Sequence, residues 1–292
     1  MYTRVLTPFT ARDGENLAFY SWQAEDSVDQ PNRPGSDARG VVLIVHGLGE
    51  HAGRYDHVAG ALCNWGFVAH AYDQRGHGES GGTPGVLPSR MALLADLAEV
   101  VDDTRRQYPK LPLILLGHSL GGLVVSRFVS LGIRPVDALV LSSPALDARL
   151  GWAQKLLLAV LPVFAPNLCV NNGLDPNDLS RDSEVVNAYS NDRMVHNKIS
   201  ARLGRFISTA GPATLAAAKH WRTPTLLMYA GADKLVNPRG SRRFAKRAAD
   251  SKNVKAGTVT AQCFEGYYHE LFNEPQRERV FGALKTWLNT RF

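Results

Sequence analysis

Short runs in which every residue is apolar recur along this chain, separated by segments whose apolar residues fall at helical spacing. Val41-Val42-Leu43-Ile44-Val45 is the clearest. A strand of that composition has no face to turn to water, so it must be covered on both sides, as strands of a parallel sheet are. Around it the pattern alternates. Arg54 to Trp65 has helical spacing and Phe67 to Tyr72 reads as a strand. Arg90 to Tyr108 reads as a helix with Leu93, Leu94, Leu97 and Val101 on one side. Leu113 to Leu116, Leu120 to Leu131 and Ala138 to Leu141 read as strand, helix and strand. Near the end come Thr225 to Tyr229 (strand), Arg239 to Ala249 (helix), Thr258 to Phe264 (strand) and Glu274 to Leu288 (helix). Such alternation builds a mostly parallel central sheet with helices on both faces. Leu17 to Trp22, after the turn Asp13-Gly14, is expected to add the second strand of an antiparallel hairpin, and Asp29 to Gly40 a loop.

The rhythm breaks between Ala145 and Trp221. No strand is expected there. An apolar helix, Trp152 to Leu161, is followed by the loop-rich Pro162 to Asn177 and then by polar helical material. The expected organisation is a sheet core formed by residues 1–144 and 222–292, with a helical lid inserted at 145–221.

At 292 residues and 45% hydrophobic composition the chain can bury a sizeable core, and with 21% charged residues its composition reads as globular and not as that of a disordered chain. The net charge is +6. Lys and Arg are scattered apart from Arg239 to Arg247, read as the solvated face of a surface helix. Weak attraction to anionic surfaces follows. No nucleic-acid motif is present, so no nucleic-acid partner is expected. Cys63, Cys169 and Cys263 are odd in number and far apart, which argues against a disulfide framework or a metal site. Met1 to Ala11 has no apolar run of signal-peptide length, and no stretch reaches the length of a membrane span. A cytoplasmic protein, at most peripherally associated with membranes, is the expectation.

Gly117-His118-Ser119-Leu120-Gly121 matches G-x-S-x-G, a sharp strand-to-helix turn that exposes a serine hydroxyl at the sheet edge. A second match, Gly78-Glu79-Ser80-Gly81-Gly82, lies in a glycine-rich loop followed by Thr83-Pro84-Gly85, which cannot open that helix. Ser119 follows an apolar strand and begins an apolar helix, so Ser119 is the expected nucleophile. Its hydroxyl needs a base, and the base an orienting carboxylate. In a fold with this motif the chain order is Ser, acid, His. His269 is the one histidine after residue 220, just past the last strand. Asp233 follows the strand Thr225 to Tyr229 in a Gly-containing loop and is chosen as the acid. Asp250, at the far end of the next helix, is the alternative. The loop His46-Gly47-Leu48-Gly49-Glu50 directly follows Val45. It points to an oxyanion hole made by the backbone N–H groups of Leu48 and Leu120. The expected fold is therefore the α/β-hydrolase fold, with no metal and no cofactor.

Several motifs together resemble the monoacylglycerol lipases and their lysophospholipase-like relatives, in particular the bacterial members. These are His46 to Tyr55, Asp73 to Ser80, Gly117 to Gly122, Ser180-Arg181-Asp182 with Val185 and Tyr189 to Asp192, and Tyr268 to Glu274. The resemblance implies hydrolysis of a small lipid ester, a fatty-acyl ester of glycerol, under a lid that contacts lipid aggregates or membranes transiently. It also implies that Glu50, Arg54 and Tyr189 lie near the glycerol head group or stabilise that wall. Phe272 stands where animal members have His, and Arg193 where relatives have Pro after the Asp matching Asp192. The alternatives are a broader carboxylesterase, lysophospholipase or serine aminopeptidase of the same fold, and a catalytically silent binding protein.

Overall fold

The computed structural model describes residues 2–24, 38–148 and 152–292, except the side chains of 152–155 and 157. The expected loop over 29–40 lies, up to residue 37, outside the described residues. Eight strands form one sheet: β1 (Tyr2–Thr10), β2 (Asn16–Ala24), β3 (Val41–Val45), β4 (Val68–Tyr72), β5 (Leu113–His118), β6 (Ala138–Ser142), β9 (Thr225–Ala230) and β10 (Val259–Phe264). Their order is β1-β2-β4-β3-β5-β6-β9-β10. β2 runs against its neighbours and the other pairings, from β4 to β10, are parallel. The mostly parallel sheet and the N-terminal hairpin are those expected from the sequence.

The all-apolar strands are covered on both faces, as their composition requires. In β3, Val41, Leu43 and Val45 join one core cluster with α2 (Ala92–Gln107), α3 (Leu120–Ser130) and α7 (Pro238–Ala249). Val42 and Ile44 join the other, with α1 (Asp56–Asn64) and α8 (Glu278–Asn289). α7 buries Phe244 and Ala248 and turns Arg242, Arg243 and Lys246 to solvent, as its charge pattern predicts. α8 begins four residues later than its periodicity suggests. Pro275 biases the residue before it toward extended backbone, and Glu274 sits at φ −80°, ψ 153°.

The segment between β6 and β9 holds α4 (Trp152–Phe164), α5 (Ser183–Asn191) and α6 (Ala201–Ala217). The expectation of no strand there fails: β7 (Cys169–Asn171) and β8 (Lys198–Ser200) pair antiparallel. Three residues are too few for a visible alternation of hydropathy. α6 packs on α3, and its Leu203, Phe206 and Ala210 belong to the first core cluster. The loops that follow β3, β5, β9 and β10 all leave the carboxyl edge of the sheet, where ligands bind in open α/β sheets.

Candidate active site

The turn from β5 to α3 holds Ser119 at φ 52°, ψ −115°. A non-glycine residue is strained at positive φ and stays there only where its surroundings over-determine it. Here they do. The Ser119 N–H donates to the Ser142 carbonyl, and the Ser119 carbonyl accepts from the Ala145 N–H, each at 3.0 Å. The flanking glycines have steric causes. A Cβ on Gly117 would lie 2.6 Å from the Gly121 carbonyl oxygen, and one on Gly121 would collide with the carbonyl oxygens of Val45 and His46. Any larger residue would push α3 off the sheet and move the serine.

The Ser119 hydroxyl donates to His269 Nε2 at 2.8 Å. His269 Nδ1–H donates to Asp233 Oδ2 at 2.7 Å. Asp233 Oδ1 accepts from the N–H groups of Leu235 and Val236, each at 2.9 Å. An ionised carboxylate only accepts, so the network assigns the imidazole proton to Nδ1 and leaves Nε2 as acceptor. His269 and Asp233 are buried. Burial by itself lowers the His269 pKa, but the charge and hydrogen bond of Asp233, helped by Glu270 and Glu50, raise it above the usual 6.5. His118, one residue before Ser119, has its ring 4.8 Å from that of His269. Burial and the neighbouring His269 push its pKa down to about 4, so it is neutral at physiological pH.

The loop after β3 is held from both sides. His46 Nε2 accepts from the Gln74 N–H at 2.8 Å, and Gln74 Nε2 donates to the His46 carbonyl at 2.7 Å. Glu50 Oε1 accepts from the Gly47 N–H at 2.6 Å and from the Tyr55 hydroxyl at 2.8 Å. Leu48 and Leu120 line the cavity beside Ser119. Among the described residues neither backbone N–H donates to another protein group, so both are available to an oxyanion.

Arg54 joins two loops. Its Nη1 donates to Glu50 Oε2 at 2.7 Å and to Glu270 Oε1 at 2.6 Å, and its Nη2 donates to Glu270 Oε2 at 2.8 Å. The guanidinium lies 4.8 Å from the Tyr189 ring centroid. Burial works against both carboxylate charges, but the Arg54 charge keeps Glu50 and Glu270 below the usual carboxylate range.

These residues border a cavity of about 530 Å³. Its lining divides into an apolar set from α4, the turn into β7, β8 and α6, including Leu158, Leu161, Leu168, Ile199 and Ile207, and a polar set including Glu50, Tyr189, Asp178, Lys234 and Glu270. Among the described residues no group of His, Cys, Asp and Glu side chains is arranged to hold a metal ion.

Ser80 and Asp250 lie elsewhere. The Ser80 hydroxyl donates to the Asp73 carbonyl at 2.6 Å and accepts from the Ala18 N–H at 2.8 Å. Asp250 is exposed at the end of α7, paired with Lys246 at 3.4 Å. Phe272 does not line the cavity. It is buried in the second core cluster with its ring 5.3 Å from that of Phe281, so its difference from His does not act directly on a head group. Asp192, before Arg193, takes φ −80°, ψ 120°, the extended backbone that a following proline would also favour. Its Oδ2 accepts from His51 Nε2 at 2.8 Å, a tie between the segment after α5 and the β3 loop. Glu270 is a site residue with no role expected from the sequence, although a carboxylate directly after the candidate base is a visible signal. The ion pair of Lys234 with Asp178, at 3.0 Å, had no sequence signal at all.

Residues 36–276 match the family described as serine aminopeptidase, S33. The chain is 37% identical to the monoacylglycerol lipase of Mycolicibacterium smegmatis, over 87% of this chain and 90% of that protein. It is 32% identical to the phospholipase YtpA of Bacillus subtilis, over 85% of this chain and 94% of that protein. The crystal structure of the Paleococcus ferrophilus monoacylglycerol lipase superposes with a TM-score of 0.79 at 34% identity, covering 88% of this chain and 97% of that one.

Proposed function

The chain belongs to the serine aminopeptidase S33 family, among members similar to monoacylglycerol lipases, and on that premise we propose that it cleaves monoacylglycerols to fatty acid and glycerol through an acyl-enzyme on Ser119. The observation that carries the reading is the hydrogen-bonded series Ser119, His269, Asp233 opening on a cavity that is apolar along one set of walls and polar along another. His269 Nε2 takes the hydroxyl proton as Oγ attacks the ester carbonyl carbon. The Leu48 and Leu120 N–H groups hold the resulting oxyanion, each contributing about 3 kcal/mol. Asp233 holds the imidazole tautomer and stabilises the imidazolium. The imidazolium returns its proton to the departing glycerol oxygen. Water, deprotonated by His269, then attacks the acyl-enzyme, and the fatty acid leaves with Ser119 restored.

The apolar walls from α4 to α6 suit an acyl chain, and the segment 145–221 acts as the lid. α4 supports contact of that lid with lipid aggregates. Leu158 and Leu161 line the cavity, while Leu156, Val160, Val163 and Phe164 face solvent, Phe164 at 82% exposure. A helix apolar on more than one side is poorly matched to water alone. Among the described residues no helix is long and apolar enough to cross a membrane.

Two rival substrates meet obstacles. A lysophospholipid phosphate would approach a lining that carries, among the described residues, the carboxylates Glu50, Asp175, Asp178 and Glu270 against the one cation Lys234, with Arg54 behind Glu50 and Glu270. An aminopeptidase needs a carboxylate for the substrate's amine, and of those lining the cavity Glu50 and Glu270 are taken by Arg54, Asp178 by Lys234 and Asp175 Oδ1 by Asn177. Initial rates on monoacylglycerols, di- and triacylglycerols, lysophospholipids and amino-acid amides test the assignment. Monoacylglycerols are expected to be fastest, and preference for any of the others overturns it.

A further inference from the structure

We propose that Glu270 is a positioning residue: with Arg54 and Glu50 it forms a buried bridge that holds the oxyanion loop and the histidine loop in one register. The proposal rests on the serine-hydrolase reading above and adds a role for three residues that do not touch the reacting atoms.

The bridge is continuous. Glu50 Oε1 takes the Gly47 N–H, one residue before Leu48, whose N–H is assigned to the oxyanion. Glu50 Oε2 passes the connection to Arg54, and Arg54 grips Glu270 with both terminal nitrogens. Glu270 follows His269 directly. Its Oε2 also accepts from Asn273 Nδ2 at 2.8 Å, and its N–H donates to the Leu179 carbonyl at 2.8 Å. The side chains of Arg54, Glu50 and Glu270 are 10%, 4% and 5% exposed. A planar guanidinium in fork-to-fork contact with a carboxylate defines orientation as well as distance. All four carboxylate oxygens accept from protein donors, so the cluster is built as a frame and not as a set of open acceptors for substrate hydroxyls. Two carboxylates and one guanidinium leave a net negative charge near His269, which favours the imidazolium formed during the reaction.

The geometry matters because the loops carry opposite ends of one event. The β3 loop receives the developing oxyanion, and the β10 loop takes the proton. A misplacement of about 1 Å between such groups costs roughly 100-fold in rate.

The test compares Glu270→Gln, Glu50→Gln, the double variant and Arg54→Lys on two substrates, a monoacylglycerol and p-nitrophenyl acetate, which has no glycerol. Each single variant is expected to lower kcat by roughly 10- to 100-fold on both substrates with KM unchanged. Glu270→Gln should also shift the acid limb of kcat/KM to lower pH. The double variant should lose less than the product of the single losses, since both carboxylates act through Arg54. Thermal unfolding of each variant separates these losses from failure to fold. If Glu270→Gln does not fold, Arg54→Lys, which keeps the charge but cannot span both carboxylates, must show the same kcat loss on both substrates. A loss confined to the glyceryl ester or to KM, or no loss, overturns the proposal. A wild-type protein that cleaves p-nitrophenyl acetate but no monoacylglycerol would defeat the substrate reading and leave this proposal testable on the first ester.

Discussion

Gly117–Gly121 and Gly78–Gly82 spell the same five-residue pattern, and the two serines at their centres are put to opposite uses. Ser119 is held by its backbone, through the Ser142 carbonyl and the Ala145 N–H, and its hydroxyl is left to His269. Ser80 is held by its hydroxyl, which closes a loop between the Asp73 carbonyl and the Ala18 N–H. The loop around Ser80 is a scaffold in its other residues too. Asp73 accepts from the Ala52 and Glu79 N–H groups and from the Tyr20 hydroxyl. Arg75 forms a buried pair with Asp96 at 2.7 Å. The serine proposed as nucleophile is the one whose backbone the fold binds and whose oxygen it spares, and this distinction is invisible in the motif.

The sharpest break of the comparison is Ser119→Ala. Ester hydrolysis should fall on the order of a million-fold, with the unfolding midpoint near that of the wild type, because the hydroxyl makes no bond that the fold needs. Substantial residual turnover, measured on the purified variant, would erase the difference between the two loops. Asp233→Asn should cost about 10,000-fold in kcat by losing the imidazole tautomer. It also tests the titration. The His269 pKa is raised above 6.5 in the folded protein, and the base must be neutral to accept a proton, so activity should fall as pH drops through a value above 6.5. The stability from this raised pKa runs the other way, complete below 6.5 and lost as pH rises through the folded value. A pH–rate profile of the wild type with its acid limb below 6.5 would contradict the assigned partners. The smallest effect belongs to Ser80→Ala. It leaves the Ala18 N–H without its acceptor and should destabilise by about 1–3 kcal/mol in chemical denaturation. kcat should be unchanged.

Much of the proposed site is legible in the sequence because parallel-sheet strands announce themselves and the candidate residues sit immediately past their ends. Leu48, Ser119 and Asp233 follow buried, mostly apolar strands within a few positions, and His269 follows the edge strand β10 in the same way. Glu50, Arg54 and Tyr189 came from resemblance, and the cluster around Arg54 depends on side chains 216 residues apart meeting in space. No periodicity reports such a contact. The β7–β8 pair escaped for a different reason: three-residue strands are stabilised by pairing and not by their own pattern. Phe272 shows the opposite error. A difference at one position within a functional signature looked like altered recognition, but the chain turns that ring into the core beside Phe281.

Labelling with a fluorophosphonate, followed by mass spectrometry of the digested protein, tests the distinction between the two serines most directly. The account predicts a single adduct on the peptide carrying Ser119, abolished by Ser119→Ala and undiminished by Ser80→Ala. An adduct on Ser80, or no adduct on the folded wild-type protein, would contradict it.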